Sequence, residues 1–310
     1  MKLLVRGEAS LSETERIRGV WPDAEIIACN REELELNLPD ADVVWGGLRP
    51  DQIALGKRLS LIQVQSAGVD FMLCPELTAS PAALCTTSGI HAETIAEHVL
   101  GMMLSLVRKF PQSILNQSRQ KWEVLEPQLL HGKRLGILGF GSIGQAIGLR
   151  ARAFGMHVIG LRRHPAQSDC ADEIWTDDRL DELLPTVDHF VVAVPLTPAT
   201  KGLITRTRLQ LLKPTAYIYN IARGTVVDEP ALIEALTQGR LAGAGLDVFW
   251  EEPLPASNPL WSHPNVLLTP HSAGQLPDYR ERAFLVFLEN LHRLKDNKPL
   301  INSVDKQAGY

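Results

Sequence analysis

Short apolar runs alternate with charged or amphipathic stretches along this chain. Near the start, the runs KLLVRG, EIIACN, DVVWGG and LIQVQSAG each read as a strand, and a charged or amphipathic segment follows each. Over residues 92–109 the period changes: Ile95, Val99, Met102, Met103 and Leu106 recur at helix spacing. That helix is apolar around much of its circumference, which predicts burial between layers or at an interface. Met102 and Met103 read as packing residues. His91 and His98 have no other ligand candidates close in sequence and read as structural. A further helical piece precedes Trp122, and residues 127–132 form a connection.

The alternation then resumes, with strands expected at 135–138, 157–161, 189–194, 216–222, 241–249 and 266–269. Asp228 is a plausible N-cap for a helix running to about residue 238, with Gly239 at its end. A helical stretch at 276–296 follows the last strand and returns the chain to its first unit. Strands alternating with helices in this manner predict an α/β protein of doubly wound parallel sheets.

The stretch KRLGILGFGSIGQAIGLRARAFGMHVIGLRR, residues 133–163, carries the most specific local pattern. Gly139, Gly141 and Gly144 form a G-x-G-x-x-G turn between an expected strand and an expected helix, the context that makes this pattern a dinucleotide-binding signal. The first glycine allows the tight turn, the second admits a pyrophosphate, and the third lets the helix lie close to its strand. The helix N-terminus adds free N–H groups and a positive dipole end. Two Rossmann-like domains are therefore expected. A flavodoxin-like one comprises residues 1–97 plus 275–310, and a dinucleotide-binding one residues 98–274.

Composition narrows the field. The 310 residues are 45% hydrophobic and 22% charged, the usage of a globular protein with sizeable cores. A formal net charge of -5 argues against a general nucleic-acid binder. Cys29, Cys74, Cys85 and Cys170 are scattered without metal-ligand spacing, so buried thiols in a reducing compartment are expected, and no metal. The opening MKLLVRGEAS is too short in apolar residues for a signal-peptide core, and no run has the length of a membrane span. The expectation is a cytoplasmic protein with no membrane partner.

Ligands of such sheets bind beyond the carboxyl ends of the strands. Arg223, Glu252 and His271 stand at or near those ends. Singly, they also read as a surface arginine, a solvated carboxylate in a Pro-rich loop and a capping or core histidine. Jointly they divide into complementary roles: a carboxylate stabilises an imidazolium, and a guanidinium forks onto a carboxylate or a polarised carbonyl. With a nicotinamide, that is the equipment for reducing a 2-oxo acid. The turn QSAGVD at 65–70 either offers N–H groups to an anion or is a tight turn without a ligand.

These residues carry a resemblance. NIARGTVVD at 220–228 resembles the N-x-[AS]-R-G-x-x-[VI]-D signature of the D-isomer-specific 2-hydroxyacid dehydrogenases. LDVFWEEPL at 246–254 is similar to that family's L-D-V-F-x-x-E-P-L, and NVLLTPH at 265–271 to its N-V-x-x-T-P-H. AGVD at 67–70 and IAEH at 95–98 also fit, so the likeness covers nearly the whole chain. The closing VDKQAGY looks like the tail of the NADPH-dependent glyoxylate/hydroxypyruvate reductase branch.

The resemblance implies an active site in a cleft between two domains. His271 would protonate the substrate carbonyl oxygen, Glu252 would hydrogen-bond His271, and Arg223 would bind the substrate carboxylate and polarise the carbonyl. Backbone N–H groups of Ala67 and Gly68 would hold the carboxylate from the other domain. Trp45 would close the pocket over a small substrate or, alternatively, pack as a core aromatic. Cofactor contacts would come from Gly139, Gly141, Ser142, Ile143, Gly144, Val194, Pro195, Leu196, Thr200, Ile221, Ala222, Asp247, His271 and Ala273.

The chain departs from the family in two places. Arg162 stands where NAD-specific members carry an acidic residue, so with Arg163 it favours NADP(H) over NAD(H), unless both arginines merely decorate a strand end. Val194 stands where many members have histidine. The family implies a homodimer, with which the apolar helix from residue 92 is compatible. Alternatives are a 3-phosphoglycerate dehydrogenase-like or D-lactate-type dehydrogenase and, in a different class, a nucleotide-sensing corepressor-like binding protein.

Overall fold

The computed structural model describes residues 1–310. The chain divides into two compact units, Met1–Ile90 with Leu276–Tyr310, and His91–Gln275. A division at 97/98 would cut the helix Ala92–Val107; the chain divides before that helix instead.

The first unit is built on five strands, β1 (Lys2–Arg6), β2 (Glu25–Cys29), β3 (Val43–Trp45), β4 (Leu61–Gln63) and β5 (Ala83–Cys85). All pair in parallel, in the order β2-β1-β3-β4-β5. Both faces are covered, so the strands read as continuous apolar runs. Leu4, Val44, Ile62 and Leu84 fill one layer, whereas Leu3, Val5, Val43, Trp45 and Leu61 fill the other. Helix Tyr279–Lys295 closes the second layer through Phe284, Phe287 and Leu291. Capping boxes at Ser10/Glu13 and Asn30/Glu33 start two of the helices.

Trp45 is not a pocket lid. Its ring stacks on Phe287 at 5.3 Å between centroids and meets Phe284 at 5.2 Å, and no part of it is exposed. As the last residue of β3 it shares a face with Val43, and that face belongs to the core. Arg280 lies 5.1 Å from the ring centroid and also binds Glu13 at 2.7 Å. Burial alone would raise the Glu13 pKa; the Arg280 hydrogen bond and charge, with the Ser10 bonds, more than offset it.

The second unit has seven parallel strands: β6 (Arg134–Leu138), β7 (His157–Leu161), β8 (Glu173–Trp175), β9 (His189–Val192), β10 (Tyr217–Asn220), β11 (Gly243–Leu246) and β12 (Val266–Leu268). Their order is β12-β11-β10-β9-β6-β7-β8. The chain winds outward from β6 in one direction and from β9 in the other, which makes the β6/β9 junction the switch point where ligands bind. The expected helix at 92–109 is Ala92–Val107, packed in the core with Met102 and Met103 fully inside. Asp228 caps Glu229–Thr237, accepting from Ala231 N at 3.0 Å, and Gly239 follows with φ 67°. In the same core His189 is sandwiched by Tyr217 and Tyr219, with Nδ1 3.1 Å from Tyr219 Oη. Burial pushes His189 down to about 4 from its ordinary 6.5.

Candidate active site

The glycine turn leaves β6 at the switch point. Gly139 has φ 96°, and a Cβ there would stand 2.6 Å from the Ala193 carbonyl oxygen beyond β9, so only glycine lets the two strand ends approach. A Cβ on Gly144 would meet Gly139 O at 2.5 Å, which fixes helix against turn. Gly141 differs. A Cβ there would meet nothing within 4 Å, and as N-cap of Ser142–Ala153 it gives no side-chain cap. The N–H groups of Ser142, Ile143 and Gly144 have no acceptor inside the helix. Open space before uncapped donors at a helix N-terminus fits the pyrophosphate of a dinucleotide.

The neighbouring strand ends carry the other candidates. Arg162 follows β7, and its backbone N–H donates to Trp175 O at 3.1 Å. Its half-buried guanidinium pairs with no acidic side chain, while Arg163 beside it is exposed. Val194 and Leu196 pack against the core beyond β9, and Pro195 between them is exposed. Thr200 turns inward on its own loop. Its hydroxyl donates to Pro195 O at 2.6 Å and accepts from Thr197 N at 2.8 Å, so it shapes the loop and its proton is already committed.

Beyond β10, Asn220 holds the turn that presents Arg223: its Oδ1 accepts from Ala222 N and its Nδ2 donates to Arg223 O, both at 3.1 Å. Ile221 and Ala222 are buried beneath it. The Arg223 side chain donates to Ala222 O at 2.8 Å. Gly224 admits the loop from β11: a Cβ would stand 1.9 Å from the carbonyl carbon of Phe249.

That loop carries Glu252, whose Oε1 accepts from Phe249 N at 3.0 Å and whose Oε2 lies 2.7 Å from His271 Nδ1. A carboxylate only accepts, so Nδ1 is the donor and Nε2 is the ring nitrogen left for other partners. Both side chains are partly open, 45% for His271 and 36% for Glu252, so the pair is accessible to a small molecule. His271 itself sits in the left-handed region at φ 51°, uncommon outside glycine. Its N–H donates to Asp247 O at 2.8 Å and Thr269 O at 3.0 Å, which holds the backbone there.

Asp247, which the family resemblance makes a cofactor contact, is 2% exposed. Its carboxylate accepts from Thr269 Oγ1 at 2.6 Å, Ser272 N at 2.9 Å and Ala273 N at 3.1 Å. It therefore ties down both sides of His271. His98, read as a bland structural residue, belongs to the same network through Thr269 Oγ1 at 3.0 Å. Asp247 comes from the family resemblance; His98 and Thr269 stand in the IAEH and NVLLTPH segments of the same resemblance, but no role in the site is read from either.

In the first unit, Ala67 and Gly68 lie in the turn beyond β4. Thr87 Oγ1 donates to Gln65 O at 2.8 Å and Ser66 Oγ to Gly68 O at 2.7 Å. These bonds fix the turn, and no hydrogen bond of this unit uses the Ala67 and Gly68 N–H groups. No group of three or more His, Cys, Asp or Glu side chains could hold a metal ion. No helix is long and apolar enough to cross a membrane.

Comparison with known proteins agrees with this geometry. The family described as D-isomer specific 2-hydroxyacid dehydrogenase, NAD binding domain, matches residues 100–273. The chain is 36% identical over 305 residues to a glyoxylate reductase of Pyrococcus furiosus, covering 93% of this chain and 89% of that protein. It is 34% identical over 272 residues to a D-3-phosphoglycerate dehydrogenase of Methanocaldococcus jannaschii, covering 85% of this chain and only 52% of the relative. An NADPH-dependent glyoxylate/hydroxypyruvate reductase from Sinorhizobium meliloti, solved with NADP and sulfate, has a TM-score of 0.86 at 27% identity. That match covers 100% of this chain and 99% of the other.

Proposed function

The chain belongs to the D-isomer specific 2-hydroxyacid dehydrogenase family of NAD(P)-dependent oxidoreductases, and from that premise we propose that it reduces glyoxylate, hydroxypyruvate and similar small 2-oxo acids with NADPH. The products are 2-hydroxy acids, of D configuration where chiral. The observation that carries the reading is the His271–Glu252 pair at 2.7 Å, in the same unit as the open glycine turn and Arg223.

When bound, the nicotinamide supplies the hydride that C2 of the substrate receives. His271 holds a proton at Nε2 and delivers it to the carbonyl oxygen. Glu252 accepts from Nδ1, which orients the ring and fixes Nε2 as the nitrogen that faces the substrate. Arg223 offers a planar fork to the substrate carboxylate and draws charge from the carbonyl. In the first unit, the N–H pair of Ala67 and Gly68 is of the kind that suits a carboxylate. Asp247 and its hydrogen bonds hold the His271 backbone, so the acid keeps its position through turnover.

Arg162 supports NADP(H) over NAD(H): a guanidinium without an acidic partner attracts a 2′-phosphate, where an aspartate would repel it. All four cysteines are free thiols, which supports a reducing, cytoplasmic setting. Exposed Phe110, Ile114, Leu115, Trp122 and Val124 on the second unit support a homodimer. The 3-phosphoglycerate dehydrogenase reading draws on the Methanocaldococcus jannaschii relative.

A panel of glyoxylate, hydroxypyruvate, pyruvate and phosphohydroxypyruvate, each run with NADPH and NADH, tests the proposal. Highest kcat/KM for glyoxylate or hydroxypyruvate with NADPH is expected. Preference for phosphohydroxypyruvate would move the chain to the phosphoglycerate branch, and tight cofactor binding with no turnover would make it a sensor.

A further inference from the structure

Glu229 has no part in the chemistry above, yet both of its carboxylate oxygens reach the loop that carries Glu252. Oε2 accepts from Trp250 N at 2.9 Å and Oε1 from Asn258 Nδ2 at 3.1 Å. These donors bracket the loop, since Trp250 precedes Glu252 and Asn258 follows it. Neither donor is loose. Trp250 Nε1 donates to Val227 O at 2.7 Å, and Asn258 Oδ1 accepts from the N–H of buried Leu260 at 3.0 Å.

Glu229 stands on fixed chain. It opens the helix Glu229–Thr237, whose first turn Asp228 caps, and an acid in that turn suits the helix dipole. The segment before it is pinned to Ile204: Ile204 N donates to Val226 O and Asp228 N to Ile204 O, both at 2.9 Å. The carboxylate therefore sits on the chain that leads out of the Arg223 turn, and it grips the loop that brings Glu252.

That grip matters because packing does not hold Glu252. Its side chain is 36% exposed, and inside the loop its support is the bond from Phe249 N at 3.0 Å. Where the loop stands then decides where the Glu252 carboxylate meets His271 Nδ1, now at 2.7 Å.

We propose that Glu229 is a positioning residue: by clamping Trp250 and Asn258 to the helix after the Arg223 turn, it sets the place of Glu252 and so the direction of the His271 ring. The inference rests on the 2-oxo acid reduction proposed above. Glu229 acts through Glu252, so its effect on turnover exists only while Glu252 holds the ring. A displacement of about 1 Å at a reacting group is enough to cost tenfold or more in rate.

The test is kcat for glyoxylate with NADPH in Glu229→Ala and Glu229→Gln, each made in the wild type and in Glu252→Ala. In the wild-type background Glu229→Ala should lower kcat about tenfold and leave the Kd of NADPH within about twofold. Glu229→Gln keeps one acceptor oxygen and should recover part of the loss. In the Glu252→Ala background the same changes should cost less than about twofold, because coupled residues do not add. An equal drop in both backgrounds makes Glu229 a residue of general stability and overturns the inference, as does no drop in the wild type. Should Glu229→Ala fail to fold, Glu229→Gln carries the same comparison. If the wild type reduces no oxo acid, the proposed reaction falls, and the clamp is judged by amide hydrogen exchange. Faster exchange over residues 249–252 in Glu229→Gln, with the helix Ser142–Ala153 unchanged, supports the clamp. Exchange unaltered at 249–252, or raised equally in that helix, removes it.

Discussion

Replacing Asp247 by alanine probes the structure behind the acid most sharply. Its carboxylate collects Thr269 Oγ1, Ser272 N and Ala273 N within 3.2 Å, and only Ala273 among the donors is fully buried. Stranding a buried donor costs roughly 1–3 kcal/mol, and half-buried donors cost less because water reaches them. The expected loss is about 3 kcal/mol, which for a domain of this size lowers Tm by roughly 6–12 °C. The same change frees Thr269–Ala273, so His271 no longer has one position and kcat falls by about tenfold or more. Asp247→Asn keeps one acceptor oxygen and should recover part of both losses. Differential scanning calorimetry and steady-state assays read the two effects. An Asp247→Ala protein that melts with the wild type and turns over normally would refute the assignment of Asp247 as the anchor of the His271 loop.

Three further outcomes are expected. Gly224→Ala drives a Cβ into the Phe249 backbone, 1.9 Å away, so urea titration should give a loss of about 3 kcal/mol and the displaced Glu252 loop should lower turnover. Arg162→Asp with Arg163→Ala should move the NADPH/NADH ratio of kcat/KM toward NADH by about tenfold or more; an unmoved ratio means other residues read the ribose. His189, held neutral by burial at about 4 against 6.5 when unfolded, makes stability pH-dependent. Between those values the unfolded chain binds a proton that the folded chain does not. Its contribution is therefore complete above 6.5 and is lost as pH falls toward 4, about 2 kcal/mol between pH 7 and 5. Urea titrations of His189→Gln should lack that part of the slope.

The two parallel sheets were legible because strands buried on both faces read as continuous apolar runs, and helices between them read by period. Short strands are the limit: β5 and β8, each three residues long, escaped, whereas the equally short β3, β4 and β12 were read. Trp45 shows the same limit differently. In a three-residue strand no alternation says which face is inward, and only the arrival of Phe284 and Phe287, far along the chain, makes position 45 part of the core. Arg223, Glu252 and His271 were legible as residues near strand ends. The left-handed His271 backbone, the work of Asp247 on its flanks and the tie from His98 through Thr269 were not, because each depends on donors and acceptors from loops that meet only in the folded unit.

If His271 gives a proton to a 2-oxo acid while separate groups hold the cofactor, removing its imidazole should separate turnover from cofactor affinity. The most direct measurement is NADPH oxidation with glyoxylate and hydroxypyruvate by the wild type and His271→Ala, with the Kd of NADPH measured for both. Wild-type turnover is expected, with a kcat lowered by about two to four orders of magnitude in the variant and a nearly unchanged Kd. A His271→Ala enzyme that reduces either acid at the wild-type rate would contradict the assignment of His271 as the acid.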